Sequence, residues 1–167
     1  MRTPFFFLLF CCCMLNACKE KTYHSQLALL YKNTVPLIEP DSLAAMLKQE
    51  DTLLLLDTRA PEEWLVSRLP GARFAGFETF DSSGWMLAPK DMPVVLYCSI
   101  GWRSEKIGER MQQAGFKKVY NLYGGIIEWK NLGHPLLGTN GEPTEEVHTY
   151  NRYWGIYLTN GIRVYEK

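Results

Sequence analysis

A single α/β domain, with a central parallel sheet flanked by helices, is predicted for this chain of 167 residues. The runs 53–56 and 93–97 are apolar without polar alternation, which is typical of strands buried on both faces of a parallel sheet. Such runs alternate with segments of helical apolar spacing, the pattern of α/β proteins. The length and the hydrophobic content of 47% fit one compact core.

The first half of the domain is predicted to hold two strands and two helices. A helix begins at Asp41 or Ser42, since either residue can cap it, and ends near residue 49. The run 53–56 is the first buried strand. A second, short helix opens at Pro61, because proline fits the first turn of a helix. A turn then leads into a short strand at about 73–75.

The second half repeats the alternation. Residues 76–92 are predicted to be a loop with one helical turn, and residues 93–97 form the second buried strand. A helix over 102–114 ends at a glycine, which favours the C-terminal turn of a helix. A strand over 119–122 and a helix over 126–131 complete the pattern.

The segments outside this domain, which we place at 36–138, are less regular. Residues 18–35 are predicted to be a tether. Residues 139–167 form a C-terminal extension with aromatic residues at helical spacing, which favours a helix with a short extended end. The pair Asn160-Gly161 is also a hairpin signal, so that alternative stays open.

Residues 1–17 are predicted to be a lipoprotein signal peptide. The apolar stretch 5–15 is too short to cross a bilayer as a helix, which needs roughly 20 residues, but it suits a secretory signal. Its end, Leu15-Asn16-Ala17-Cys18, resembles a bacterial lipobox, in which the cysteine is lipidated before cleavage. An ordinary signal peptide or a short apolar anchor is the alternative.

Lipid on Cys18 would attach the mature chain to the bacterial cell envelope, since several acyl chains together hold a protein stably on a membrane. Lys19 stands where an acidic residue would resemble a signal for retention in the inner membrane. We therefore expect the outer membrane, with the domain facing the periplasm or the cell surface.

Cys98 is the candidate reactive residue. Four of the five cysteines lie within the first 18 residues, so Cys98 is the single thiol in the body of the chain. A lone cysteine is often a buried core residue. Cys98, however, stands directly after a predicted strand and before a predicted helix, which is where parallel α/β folds place their sites.

The residues that follow Cys98 suit an anionic sulfur. Backbone N–H groups in a strand-to-helix turn can form an anion-binding concavity, and Gly101 permits such a tight loop. Arg103 adds a permanent cation, and Ser104 can cap or hydrogen-bond within the loop. The predicted substrate-binding or anion-binding loop is Ser99, Ile100, Gly101, Trp102, Arg103 and Ser104.

The loop and three further blocks resemble the rhodanese family, in the order in which the family has them. The four blocks cover about residues 36–138 and are Asp57-Thr58-Arg59 with Pro61-Glu62-Glu63-Trp64, Leu69-Pro70-Gly71-Ala72, Cys98-Ser99-Ile100-Gly101-Trp102-Arg103-Ser104, and Tyr123-Gly124-Gly125-Ile126-Ile127-Glu128-Trp129.

The resemblance implies a single-domain rhodanese fold and a ping-pong sulfur transfer without metal or organic cofactor. Cys98 would take sulfane sulfur from a persulfide or thiosulfate donor, become a persulfide, and pass the sulfur to a thiol or another thiophilic acceptor. Asp57 and Arg59 would support the site, as a structural ion pair rather than as acid–base groups.

Two departures from the family pattern stand out. Ser67-Arg68 occupies the place where the family often has Gly-His, a position that we interpret as structural. Family members that favour thiosulfate tend to carry a basic residue inside the loop, whereas this loop has Ser99, Ile100 and Trp102 there. We therefore expect thiosulfate to be a poor donor.

Three other function classes have weaker support. Related phosphatases have five residues between cysteine and arginine, whereas four separate Cys98 from Arg103. A non-catalytic or redox-sensing binding module would use the same cysteine and remains the main alternative. The three histidines show no ligand spacing for a metal, and the balance of 18 basic and 18 acidic residues gives no reason to expect a nucleic-acid partner.

Overall fold

The computed structural model describes residues 20–49, 52–85 and 87–165. The predicted signal peptide and Cys18 lie outside these residues, so both stay predictions. Within the described part of the chain, no helix combines the length and the apolar character that a bilayer span requires.

Five parallel strands form the central sheet, which confirms the predicted α/β fold. They are β1 (Leu37–Ile38), β2 (Leu54–Asp57), β3 (Arg73–Phe74), β4 (Val94–Tyr97) and β5 (Val119–Leu122). The order across the sheet is β1-β5-β4-β2-β3. Because β2 and β4 are neighbours with Asp57 beside Tyr97, their carboxyl ends meet at one edge of the sheet.

Helices connect and cover these strands. They are α1 over residues 20–30, α2 (Pro40–Gln49), α3 (Pro61–Val66), α4 (Trp102–Gln113) and α5 (Gly125–Asn131), and a 3₁₀ turn covers Ser82–Trp85. The helices predicted after Asp41, at Pro61, over 102–114 and over 126–131 are confirmed to within a few residues, and the loop 76–92 has its one helical turn.

The uninterrupted apolar strands are explained by a core on each face of the sheet. Leu55 and Val95 point to one face, into a core that includes the buried residues of α1, α2 and α5. Leu54 and Val94 point to the other face, into a core built largely on α4. Successive side chains of a strand alternate between faces, so both sets must be apolar.

The predicted tether is wrong for the described residues 20–35. Residues 20–30 form the helix α1, and Tyr23, Leu27 and Tyr31 are buried in the main core. These residues recur every four positions and so share one helix face. The polar residues between them conceal this apolar stripe in the sequence, and the folded unit therefore extends at least to residue 20.

The C-terminal extension adopts neither predicted form. It contains β7 (Pro143–Thr144), which pairs with β6 (Leu136–Leu137), then β8 (Glu146–His148), a short α6 (Arg152–Gly155), and β9 (Ile162–Val164). β8 and β9 pair in parallel, which excludes a hairpin at Asn160-Gly161. A long helix is interrupted because Tyr150 has a φ of 68° and Asn151 starts α6 by accepting a hydrogen bond from the Trp154 N–H.

Candidate active site

Cys98 lies at the carboxyl end of β4 and is only 1% exposed. The backbone N–H of Gly101 donates a hydrogen bond to its Sγ at 3.1 Å. Gly101 has a φ of +93° and begins α4, so the loop turns back over the sulfur in a conformation that suits glycine. The loop therefore presents a backbone donor to the sulfur at the N-terminal end of a helix, where negative charge is stabilised.

The loop is held from behind by α5. The Ile126 N–H donates to the carbonyl oxygen of Cys98 at 2.9 Å. Gly125 has a φ of +56°, and a Cβ added there would lie 2.3 Å from the same oxygen. The close approach of the two backbones explains why the Gly124-Gly125 pair of the fourth sequence block is needed at this place.

Tyr31, which follows α1, braces the same loop. Its hydroxyl donates to the carbonyl oxygen of Ile100 at 2.5 Å and accepts the Gly124 N–H at 3.0 Å. Burial raises the pKa of Tyr31, so the hydroxyl keeps its proton. A Cβ on Gly101 would lie 2.3 Å from the Tyr31 oxygen, so the tyrosine also occupies the space that the glycine leaves.

Arg103 is bound to Glu63 of α3 and is not an isolated cation. Its Nη1 lies 2.6 Å from Glu63 Oε2 and its Nη2 lies 2.8 Å from Glu63 Oε1, a bidentate pair. Ser99 Oγ donates to Glu63 Oε1 at 2.6 Å and accepts from Arg103 Nη2 at 3.0 Å. The predicted loop residues Ser99 and Arg103 thus form one network around a carboxylate that the sequence analysis did not single out.

The network shifts the pKa values of its two charged groups in opposite directions, and each shift favours the ionised form. Burial alone would raise the pKa of Glu63, but the Arg103 guanidinium lowers it below its usual range. Burial alone would lower the pKa of Arg103, but Glu63 and Cys98 raise it above its usual range. Arg103 therefore stays charged beside Cys98, and Glu63 balances that charge.

Ser104 supports the loop through a hydrogen bond to a residue of another strand rather than through one within the loop. Its hydroxyl donates to Asn121 Oδ1 at 2.7 Å, and Asn121 Nδ2 donates to the carbonyl oxygen of Gly101 at 2.9 Å. The bond of Ser104 therefore reaches the neighbouring strand β5 and closes on the loop through a side-chain amide. Ile100 is buried, whereas Trp102 is partly exposed, with its ring centroid 6.0 Å from that of Phe77.

Asp57 and Arg59 form the predicted structural ion pair. Arg59 Nη2 lies 2.6 Å from Asp57 Oδ2, and both side chains are fully buried. Arg59 Nη2 also donates to the carbonyl oxygen of Ser67 at 2.5 Å, which ties the end of α3 to the end of β2. Burial alone would lower the pKa of Arg59, but the Asp57 carboxylate raises it above its usual range.

A cavity of ≈ 180 Å³ lies over the sulfur of Cys98. Part of its wall is the loop itself, and part comes from outside the segment in which the four sequence blocks lie. The residues that line it are Leu30, Cys98, Ser99, Ile100, Trp102, Arg103, Tyr150 and Trp154. The sequence analysis predicted the five loop residues and missed Leu30, Tyr150 and Trp154.

The sequence analysis also did not single out two buried acidic residues. Glu105, in the first turn of α4, is 3% exposed and accepts hydrogen bonds from the N–H groups of Lys32 and Thr34 at 3.0 Å each. Glu63 had one signal in the sequence, its position three residues after Ala60, the residue that precedes α3. From there it reaches back to the Ala60 N–H at 3.0 Å, as in half of a capping box.

Within the described ranges, no group of three or more His, Cys, Asp or Glu residues is placed to hold a metal ion. His148 on β8 is buried, and its Nδ1 lies 3.9 Å from Glu63 Oε1. This places one histidine against the carboxylate that holds Arg103.

Comparison with known proteins identifies relatives of this chain. A family model for the rhodanese-like domain matches residues 39–132. A sulfurtransferase of Allochromatium vinosum is 34% identical over 104 residues, which cover 62% of this chain and 96% of that protein. A tRNA uridine(34) hydroxylase of Protochlamydia amoebophila is also 34% identical, over 55% of this chain, but the chain spans only 31% of that protein's length.

Solved structures share the fold. The rhodanese-like domain of the Alr3790 protein from Anabaena superposes with a TM-score of 0.56 at 23% identity. The match covers 62% of this chain and 79% of that domain. Leu30, Tyr150 and Trp154 all lie outside the residues 39–132 that the family model matches.

Proposed function

The chain belongs to the rhodanese-like domain family, and from that premise we propose that it is a sulfurtransferase that carries sulfane sulfur as a persulfide on Cys98. The observation that carries the proposal is the hydrogen bond from the Gly101 N–H to Cys98 Sγ at the base of an open cavity. A thiolate is the nucleophile in sulfur transfer, and a backbone donor with a nearby guanidinium stabilises it.

The reaction divides into two displacements. In the first, the Cys98 thiolate attacks the sulfane sulfur of a donor, a new S–S bond forms, and the donor leaves with the electron pair of its broken bond. In the second, an acceptor thiolate attacks the outer sulfur of the Cys98 persulfide, and the electron pair of that S–S bond returns to Cys98. No net oxidation or reduction occurs, so no redox cofactor is required.

Each part of the loop has a role in this scheme. The Gly101 N–H faces Cys98 Sγ, the sulfur that is anionic before the first displacement and again after the second. Arg103 contributes a cation, while Glu63 and Ser99 hold its guanidinium in one orientation. Arg103 and the Asp57–Arg59 pair are positioning and supporting groups in this proposal, and the covalent chemistry takes place on Cys98.

Mass spectrometry of the intact protein tests the proposal. After incubation with polysulfide, we expect a gain of one sulfur atom that is absent in Cys98→Ser and is discharged by cyanide as thiocyanate. A matched control is Ser67→Ala, because Ser67 is also buried but contributes only its backbone carbonyl to the hydrogen bond with Arg59. Absence of the adduct with polysulfide, persulfide and thiosulfate alike would overturn the proposal in favour of a binding module.

We also propose that the protein is anchored to the outer membrane through lipid on Cys18. The lipobox-like sequence supports this, and α1 adds a consequence, because it is helical from residue 20 and packs in the core from Tyr23 onward. The domain would be held within a few residues of the lipid headgroups. Cys18→Ala is expected to abolish incorporation of labelled palmitate, and incorporation that persists in this variant would contradict the proposal.

A further inference from the structure

The cavity over Cys98 has an aromatic wall that the segment 39–132 does not supply. Tyr150 and Trp154 come from the C-terminal extension, and Leu30 comes from the last turn of α1. Together with Trp102 of the loop, these residues surround the reactive sulfur with large apolar side chains. We call Leu30, Tyr150 and Trp154 the flanking wall.

The flanking wall is held in place by packing on both sides. The Tyr150 ring lies over the Arg103 guanidinium, with 5.0 Å between the guanidinium carbon and the ring centroid. The ring of Trp154 lies 5.9 Å from that of Tyr157, and Tyr157 stacks on Tyr23 of α1 at 5.0 Å. The C-terminal extension and α1 therefore support one another across the mouth of the site.

Backbone geometry at Tyr150 indicates that its position has a function. Its φ of 68° lies in the left-handed region, which costs a bulky side chain about 1–2 kcal/mol. The side chain is nevertheless 51% exposed, so the ring is not placed there as part of the core. The strained backbone directs an aromatic ring to Arg103 and to the cavity.

Apart from the groups that face the Cys98 sulfur itself, the side chains that line the cavity offer little to an anionic ligand. Arg103 is the one charged side chain among the described residues that line the cavity. Glu63 binds its guanidinium through Nη1 and Nη2. The Tyr150 ring lies over the guanidinium and further shields its positive charge. A small dianion would therefore lose its hydration without meeting an unpaired positive charge.

The cavity has space for a small group next to the sulfur, and larger parts of a ligand would extend through its open side. A protein cavity of about 150 Å³ holds one benzene molecule. The cavity of ≈ 180 Å³ over Cys98 therefore accommodates one ring or a short branched alkyl group.

We propose that the flanking wall selects sulfur carriers in which the reacting sulfur is attached to a compact, uncharged apolar or aromatic group. The inference rests on the proposed sulfurtransferase function and names its substrate class. In the acceptor step, such a thiolate attacks the outer sulfur of the Cys98 persulfide. The carrier leaves as its own persulfide, and Cys98 regains the electron pair of the broken S–S bond.

Two thiols of equal chain length test the inference. The full-length protein is loaded with polysulfide and then treated with 2-phenylethanethiol or with 2-mercaptoethanesulfonate, which differ in a phenyl against a sulfonate group. Each kcat/KM is divided by the rate of the same thiol with free polysulfide. We expect a corrected preference of about tenfold or more for the phenyl compound, since burial of a phenyl group contributes on that scale.

Two variants locate the preference in the flanking wall. Trp154→Ala is expected to reduce the preference to about threefold or less by slowing the phenyl compound alone, since about half of the apolar contact is lost. Leu30→Lys places a cation at the C-terminal end of a helix, where it is tolerated, and is expected to speed the sulfonate. This second variant gains an activity, so unfolding cannot mimic its effect. Ile156→Ala is the matched control, because Ile156 is exposed in the same segment and does not line the cavity.

The outcomes separate this inference from the proposed function. A wild-type protein that forms the persulfide and transfers it equally to both thiols overturns the inference and leaves the sulfurtransferase proposal standing. A preference that Trp154→Ala and Leu30→Lys both leave unchanged also overturns it. A wild-type protein that forms no persulfide with any donor overturns the proposed function, and the inference falls with it.

Discussion

The segment 39–132 and the flanking segments 20–35 and 139–165 contribute different things to one site. The first segment supplies the reactive sulfur, its backbone donor and the Arg103–Glu63 pair. The flanking segments supply a hydroxyl that braces the loop, through Tyr31, and most of the apolar wall, through Leu30, Tyr150 and Trp154. In the proposed function, the chemistry resides in the segment that the family model matches, whereas substrate choice resides in the segments outside it.

The largest effect on stability is expected from Glu63→Gln, inside the shared segment. The amide leaves Arg103 without its counter-charge, and removal of one partner of a buried ion pair costs about 3 kcal/mol. Chemical denaturation at neutral pH measures the loss in the free energy of unfolding. Glu62→Gln is the matched control, since Glu62 is the exposed neighbour on the same helix, and equal losses in both variants would contradict the central role of Glu63.

Gly125→Ala is expected to have the next largest effect. A Cβ would lie 2.3 Å from the Cys98 carbonyl oxygen at a φ of +56°, so both backbone strain and a clash arise, costing about 2–3 kcal/mol. Thermal or chemical unfolding measures it, and the rate of persulfide formation is expected to fall with it. Gly71→Ala separates the two causes, because Gly71 has a φ of +76° but no atom within 4 Å of the added Cβ. The idea fails if both variants lose the same stability.

Tyr31→Phe tests whether a flanking segment reaches the chemistry. The change removes one hydroxyl and leaves the Gly124 N–H without its acceptor, which costs about 1–2 kcal/mol. We also expect a lower rate of persulfide formation, because the Ile100 carbonyl loses its donor beside the reactive loop. Tyr120→Phe, at a half-buried tyrosine of β5, is the control. An unchanged rate in Tyr31→Phe would indicate that the flanking segments contribute only apolar packing to the site.

The smallest effect is a pH dependence that appears only in acid. Because Arg103 lowers the pKa of Glu63, the ionised carboxylate contributes stability that is fully present above its ordinary pKa of about 4.3. That contribution is lost as the pH falls through the lowered pKa of the folded state. The stability gap between wild type and Glu63→Gln should therefore stay constant from neutral pH to about pH 5 and narrow below pH 4. A gap that narrows already between pH 7 and pH 5 would contradict the assignment.

Local patterns were sufficient for the strands β2 to β5, the helices α2 to α5 and the position of the loop after β4, whereas β1 and the strands β6 to β9 were not predicted. The strands β2 and β4 are buried on both faces, and continuous apolar runs report that burial directly. Cys98 and its loop could be located because a strand, a tight turn and a helix follow one another within a few residues. The Asp57–Arg59 pair lies within one such turn, and it too could be predicted.

Contacts between distant parts of the chain could not be predicted in this way. Glu63 lies 36 residues before Ser99, and Tyr31 lies 69 residues before Ile100. A carboxylate near the start of a helix is expected to face solvent or to cap the helix. The residues next to Glu63 in the sequence do not indicate that it binds an arginine on another helix. The burial of Glu105 could not be predicted for the same reason, because its partners are the backbone groups of Lys32 and Thr34.

The order of residues along the chain was enough to predict an α/β sheet and the position of Cys98 between a strand and a helix. These properties arise from steric and hydrogen-bonding preferences that act over a few residues. The charge balance of Arg103, the bracing of the loop by Tyr31 and the flanking wall required the folded chain. Each depends on where the sheet brings remote segments together, and the free energy of that packing belongs to the whole core rather than to any one stretch of residues.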